Sequence, residues 1–357
     1  MKKVGIVTVY GEGNYGNKLQ NFALVHIYKK MGADVKTLQV YQSAFLRTPK
    51  EQIYQLIKNI IATLPLKSKY KFMKLRTKKF HEFSCKYLNL TQKYYTKNIP
   101  RSILEKFDLL SIGSDQVWND VDFDENDVNY FSVNKITIPE KISFAASIGK
   151  EKFSSIYEST FKANLKQFKM ITCREMLGAE YLSELLGKEC LICMDPTLFL
   201  DMAEWRTIEC KPKWLKNQSY SLRYFLGGYD RNKIKNYEQE NTEEIDLMDV
   251  HSEAHTASPE EFLYLIDHAD MILTDSFHAC VFSMIFGKKY IIFKRNKQKS
   301  CMGSRIDSLF KMFKINGQYE SVIEPHDYRE FDTIRQKNRV TFLRRLYNIV
   351  GDCGNED

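Results

Sequence analysis

Glycine and proline are scarce, at 16 and 8 residues in a chain of 357, which excludes collagen-like, linker-like and disordered architectures. The eight cysteines stand at irregular spacing and make no disulfide scaffold. The close pair Cys190 and Cys193 has no second pair to complete a zinc site, so no metal is expected. A reducing, cytoplasmic setting is therefore expected. No apolar run approaches the roughly 18 residues of a membrane span. Gly11, Glu12 and Gly13 interrupt the first apolar run before it reaches signal-peptide length, so no targeting segment is expected. There is no internal repeat. No recognition-helix or aromatic-platform motif accompanies the basic residues, so nucleic acid is not an expected partner.

What is present suits a globular protein: 43% hydrophobic residues, 13% aromatics and enough length for about two domains. The net charge of +8 has one local source. Between Lys50 and Lys79 nine Lys and Arg residues face a single acid, Glu51, while the rest of the chain sums to neutrality. Ile53, Leu56, Ile57, Ile60, Ile61 and Leu64 recur there at helical spacing, so residues 50–80 read as an amphipathic helix, then Pro65, then a basic helix. This is either a solvated face or a surface for an anionic membrane or lipid phosphate.

Short apolar runs alternate with helical patterns, which predicts α/β architecture with parallel sheets. Strands are expected at Val4–Val9, Asp34–Val40, Leu109–Ile112, Ile142–Ala146 and Met170–Cys173, with helices at Asn17–Met31 and Phe153–Phe168. These form an N-terminal Rossmann-like domain, residues 1–195, carrying the basic insertion. The irregular stretch from Asp195-Pro196-Thr197 through Pro212 reads as a linker over 196–212. A second Rossmann-like domain, 213–357, follows with strands at Tyr220–Leu226, Ile245–Met248, Met271–Thr274 and Tyr290–Phe293. Its helix after Ser258 is signalled by a capping box, Ser258 with Glu261 and Pro259 at the first helical position. Two such domains face each other across a cleft, where ligands sit.

Candidate site residues fall at strand ends. Gly11, Gly13 and Gly16 have dinucleotide-loop spacing, but the second strand ends in LQVYQS without the acid that would hold a ribose. Asn14, Asn17 and Gln20 offer neutral amides there for hydroxyls or a phosphate, or the loop is merely a turn. Asp115 follows the third strand and is either a proton acceptor in the cleft or a helix cap. Arg174 is placed to grip an anion, or to pair with Glu175 or another acid. In TDSFHACVFSMIF a strand runs into Asp275, Ser276 and then His278 in the first helical turn, offering amides, a hydroxyl and an imidazole to one anionic group. Lys294, Arg295 and Arg305 supply further cations. His251 and His255 have no evident third metal ligand.

These segments together resemble the polysaccharide pyruvyl transferase family. The resemblance is carried by GNYGNKLQNFAL, LLSIGSDQVWN, ISFAASIG, TCRE, MDPTLFL and TDSFHACVFSMIFGKKYIIF with a later SRI, and spans about Val4 to Leu309. It implies a fold similar to GT-B glycosyltransferases. It also implies phosphoenolpyruvate as donor substrate, no cofactor, and a sugar of a surface polysaccharide or its lipid-linked precursor as acceptor, capped by a pyruvate ketal. Carried onto this sequence, the family's strand-end Asp is Asp115, its donor-binding Arg is Arg174 and its catalytic His is His278. Family members often have Arg two residues before the His; here Ser276 stands in its place, and Arg295 or Arg305 is the expected substitute. The competing expectations are a nucleotide-sugar-dependent glycosyltransferase and a non-catalytic glycan-binding or assembly protein on the same fold. A dinucleotide-dependent oxidoreductase is disfavoured by the missing acid.

Overall fold

The computed structural model describes residues 1–42, 68–134, 139–216, 219–227, 229–237, 242–295, 302–325 and 328–351. The amphipathic helix expected from Ile53 to Leu64 lies outside the described residues. Two sheets organise the rest. The first has six parallel strands in the order β2-β1-β5-β6-β7-β8: β1 Lys3–Val7, β2 Asp34–Thr37, β5 Leu109–Asp115, β6 Glu140–Ala146, β7 Thr172–Cys173 and β8 Leu191–Ile192. The short pair β3 Val40–Tyr41 and β4 Tyr94–Tyr95 stands apart. The second sheet runs β10-β9-β11-β12-β13, with β9 Tyr220–Tyr224, β10 Glu243–Asp246, β11 Met271–Thr274, β12 Tyr290–Ile292 and the antiparallel edge β13 Val322–Ile323. The chain is thus an α/β protein of two Rossmann-like sheets in tandem, the GT-B type of architecture.

Continuous burial explains why the parallel strands read as apolar runs: β5 is buried from Leu109 to Ser114, and β11 along its whole length. Helix α1, Tyr15–Lys30, is buried over most of its surface because it packs between the two sheets. Its Tyr15 ring stacks on Phe262 of α7, Pro259–His268, at 4.2 Å between centroids, and meets Tyr224 edge-on at 5.3 Å. Such pairs contribute about 0.5–1.5 kcal/mol each beyond burial. One apolar cluster therefore runs through both halves of the chain.

The basic segment is partly an internal strut. In α2, Ser68–Tyr87, Arg76 is buried and donates to the Tyr15 hydroxyl at 2.6 Å, the His255 carbonyl at 2.9 Å and the Gly13 carbonyl at 3.1 Å. Lys79 meets Glu261 at 2.7 Å. Lys71, Lys74 and Lys78 face solvent.

Between the sheets, where the sequence suggested an irregular linker, Pro196–Phe199 forms a fully buried 3-10 turn capped by Asp195 and followed by α6, Met202–Arg206. Pro at the first position and an Asp cap favour that turn, and Leu198 and Phe199 anchor it in the core. The sequence division places the last helix, α10, Tyr328–Val350, in the second domain, yet it returns to the first: Phe342 lies 4.5 Å from Phe144 of β6 and 5.4 Å from Phe199. Buried Arg335 ties α10 to the turn through the Leu198 carbonyl at 3.3 Å. The remaining helices are α3 Glu125–Phe131, α4 Ser155–Leu165, α5 Met176–Leu186, α8 Phe277–Ile285 and α9 Met302–Phe313, apart from two short segments of four and five residues.

Candidate active site

Four segments converge on His278. It occupies the first turn of α8, whose cap is Ser276, with the Ser276 hydroxyl facing the Ala279 amide at 3.4 Å. The imidazole lies over the start of α1. A methyl group built on Gly16 would stand 2.0 Å from His278 Nδ1, so only glycine permits this approach between the domains. Gly11 and Gly13 face open space and have no such role. On the other side, His278 Nε2 lies 3.4 Å from Oδ2 of Asp195, and Arg174 Nη2 lies 2.6 Å from the same oxygen.

Asp195 is the residue the sequence reading missed. Its side chain has no exposed surface; Oδ1 accepts from the Thr197 amide at 2.9 Å and the Thr197 hydroxyl at 2.6 Å, leaving Oδ2 to the cation and the imidazole. Burial alone would raise its pKa, but the Arg174 and His278 charges, with hydrogen bonds from His278 and Thr197, outweigh burial and hold the carboxyl well below the usual carboxylate range. The available signal is D-P-T shortly after a parallel strand, the opening of the stretch that reads as a linker.

Arg174 follows β7, and its amide donates to the Ala146 carbonyl at 3.0 Å. The acid it meets is buried Asp195, while Glu175 turns to Ser147 and to Cys173, the latter at 3.3 Å. The guanidinium also donates to Ser114 Oγ and lies over the Phe277 ring at 4.8 Å. Arg305, on α9, approaches the same ring at 5.8 Å and lies 2.9 and 3.2 Å from the Gln116 side-chain amide. Burial pushes the Arg305 pKa down to about 10; Glu175 and Asp115 oppose this, and Arg174 and Arg295 add to it. Nε and Nη1 of Arg174 and Nε of Arg305 are buried without a partner. Buried guanidinium donors left open call for an anion or water, since an unpaired buried donor costs about 1–3 kcal/mol.

Asp115 ends β5 at φ 72°, in the left-handed region, with its side chain partly exposed. Its carboxylate accepts from its neighbour's amide, Gln116, at 2.9 Å and from Asn17 Nδ2 at 3.5 Å. The next α-helix begins ten residues later with its own cap, Asp124, so Asp115 caps none. Asn14 caps α1. Asn17 links the Val9 carbonyl to Asp115, while Gln20 is buried and donates to Thr8 Oγ1 at 3.0 Å, which in turn donates to the Ser114 carbonyl at 2.9 Å. Gln20 thus acts inside the fold, bracing the loop that carries Asp115. Asp275 is similarly occupied, accepting from the Leu226 and Gly227 amides at 2.7 Å each and from Arg295 at 3.0 Å. His255 is buried with Nδ1 against the Leu247 carbonyl at 3.0 Å, whereas His251 is exposed. Among the described residues one group, Glu209, Asp267 and His268, brings three metal-ligand atoms within 4.8 Å; Arg206 already grips both Asp267 oxygens, at 2.7 and 2.9 Å.

The family model for polysaccharide pyruvyl transferases matches residues 14–296, which contain all four segments that converge on His278 but not Arg305. The chain belongs to the polysaccharide pyruvyl transferase family. Similar solved structures include an uncharacterized protein of Klebsiella pneumoniae, with 14% identity, TM-score 0.42 and coverage of 87% of this chain and 88% of that one. They also include the UDP-GlcNAc 2-epimerase of Methanocaldococcus jannaschii, with 11% identity, TM-score 0.47 and coverage of 95% and 99%. A third is the Neisseria meningitidis UDP-GlcNAc 2-epimerase bound to UDP-GlcNAc, with 9% identity, TM-score 0.46 and coverage of 96% and 100%. No curated protein matches the chain in sequence.

Proposed function

We propose that the chain transfers a pyruvyl group from phosphoenolpyruvate to a sugar of a surface polysaccharide or its lipid-linked precursor, forming a pyruvate ketal. The observation that carries this reading is the buried cationic cluster in which Arg174 and Arg305 lie near the Phe277 ring with open guanidinium donors, and Arg174 meets the Asp195–His278 pair. Phosphoenolpyruvate has a carboxylate and a phosphate, and two guanidinium groups are the matching complement. Arg305 takes the part of the guanidinium that Ser276 replaces. Arg295 neutralises Asp275 and steadies the strand end from which α8 departs.

The chemistry follows from the charges. Asp195 stays ionised and stabilises an imidazolium, so His278 acts as the acid, delivering a proton to the methylene carbon of the donor, which becomes the methyl group. A sugar hydroxyl adds to the resulting electrophilic carbon, losing its proton to Asp115. Phosphate then leaves, and a second hydroxyl of the same sugar closes the ketal and releases the last proton. Binding the donor between Arg174 and Arg305 neutralises its charge and fixes the distance to both groups. No cofactor enters this scheme.

No helix among the described residues is long and apolar enough to cross a membrane. In this reading the enzyme works in the cytoplasm, and Lys71, Lys74 and Lys78, spaced i, i+3 and i+7 on α2, hold it peripherally on an anionic inner leaflet. Reversing those three charges should abolish co-sedimentation with phosphatidylglycerol vesicles; unchanged binding removes the membrane part of the proposal.

The test of the reaction is calorimetric titration with phosphoenolpyruvate, uridine diphosphate and nicotinamide dinucleotide in turn. Binding of phosphoenolpyruvate alone, weakened at least tenfold in Arg305→Gln, supports pyruvyl transfer. Binding of uridine diphosphate alone moves the assignment to glycosyl transfer.

A further inference from the structure

The face of the molecule formed by the C-terminal half of α1 and α10 carries a groove of about 560 Å3. Ile27 of α1 and Met31 just past its end, Phe199 of the 3-10 turn with Leu200 after it, and Leu343 of α10 make it apolar. Val340 and Tyr347 extend the apolar surface outward, at 53% and 59% exposure. The volume falls within the range of small-molecule sites, roughly 300–1,000 Å3. The rim is cationic. Lys30, Arg339 and Arg344 line it against one carboxylate, Glu204, which already meets Lys30 and stands 3.3 Å from His26. His26 is biased towards its neutral form by burial and then by Lys30. Among the described residues, Arg339 has one hydrogen-bond contact, 3.4 Å to Gln336.

An apolar trough edged by unspent cations complements a molecule with a hydrocarbon tail and an anionic head. A neutral apolar partner would leave the guanidinium groups unanswered. A second copy of this chain docked about a two-fold axis would set Arg339 and Arg344 against their own kind, with one carboxylate per chain to offset them. We propose that this groove binds a single-tailed lipid phosphate drawn from the membrane, with its tail along Ile27, Leu200 and Leu343 and its phosphate between Arg339 and Arg344. Such a site lies outside the Arg174–Asp195–His278 constellation and does not depend on the pyruvyl-transfer reading. The two are nonetheless joined, because Asp195 begins the same buried turn whose last residue, Phe199, and its successor, Leu200, line the groove. Arg335 pins α10 to that turn at Leu198.

The test is calorimetric titration of the full chain with dodecyl phosphate below its micellar concentration, against dodecyl maltoside and inorganic phosphate. The expected result is one site that prefers dodecyl phosphate at least tenfold over dodecyl maltoside and does not respond to inorganic phosphate. Arg339→Glu with Arg344→Glu, both on a solvated face, should erase the preference, and Val340→Asp should weaken both amphiphiles at least fivefold. Equal binding of the neutral amphiphile, competition by inorganic phosphate, or binding indifferent to all three substitutions overturns the proposal. So does sedimentation showing a dimer that Val340→Asp dissociates.

Discussion

Two buried aspartates, one beside each sheet, both hold an arginine, and they do opposite things with their remaining oxygens. Asp275, at the end of β11, spends its capacity on the backbone amides of Leu226 and Gly227 and on Arg295. These partners carry no open catalytic function, so Asp275 acts as a structural clasp between β9 and β11. Asp195, in the turn between the sheets, satisfies one oxygen locally with Thr197 and presents the other to His278 and to Arg174, whose Nε and Nη1 stay open. Burial of a carboxylate therefore does not reveal its role. What its partners still have to offer does.

The comparison breaks most visibly on turnover. Asp195→Asn should lower kcat by about 10²–10⁴-fold, the range for losing general acid catalysis, with a far smaller effect on melting temperature. Asp275→Asn should cost about 1–3 kcal/mol of stability by stripping acceptors from buried amides, with a kcat effect at least tenfold smaller. Phosphate release at saturating phosphoenolpyruvate and urea unfolding measure the two, and equal kcat losses would erase the distinction. Next in size is Gly16→Ala, where the added methyl collides with His278. About 1–3 kcal/mol of destabilisation and a fall in kcat are expected, whereas Gly11→Ala should stay within about 0.5 kcal/mol.

Acid stability sharpens the contrast further. The Asp195 carboxyl has a folded pKa below that of an ordinary carboxylate, so its contribution is fully present above about pH 4 and is lost as pH falls further. The stability gap between the parent and Asp195→Asn, followed by urea unfolding, should shrink across that window. A separate pH effect belongs to Lys18, buried over the Tyr10 ring at 3.9 Å with no hydrogen-bond partner for Nζ among the described residues. Burial pushes its pKa down to about 7, against the opposing charge of Glu12. The unfolded chain then binds more protons between pH 7 and 10.5, so stability should rise with pH there, and Lys18→Met should flatten the rise.

Much of the frame was legible. The capping box at Ser258, the strand Met271–Thr274 and the helix after Ser276 follow from side-chain periodicity and cap chemistry, which act over a few residues. The two-residue strand at Leu191 and the edge at Val322 were less legible, because segments that short carry no period and are strands only through their neighbours. In the site, His278, Arg174 and Asp115 stood out by their places at strand ends. The roles of Gln20 and Asp275 differ from what their positions suggested: each lies beside the site but faces inward, towards Thr8 and towards the Leu226 and Gly227 amides.

The sequence by itself determined the alternation of strands and helices, the α/β class and the loops that carry chemistry, because propensity, periodicity and capping are local. Tertiary structure alone decided that Asp195 joins Arg174 to His278, that Gly16 makes room for the imidazole, and that Arg76 leaves a basic face to brace two domains. Each of these depends on segments distant in the chain meeting at atomic range. A carboxylate's charge, a methyl group's clash or a guanidinium's partner acquires its meaning only once that distance is set.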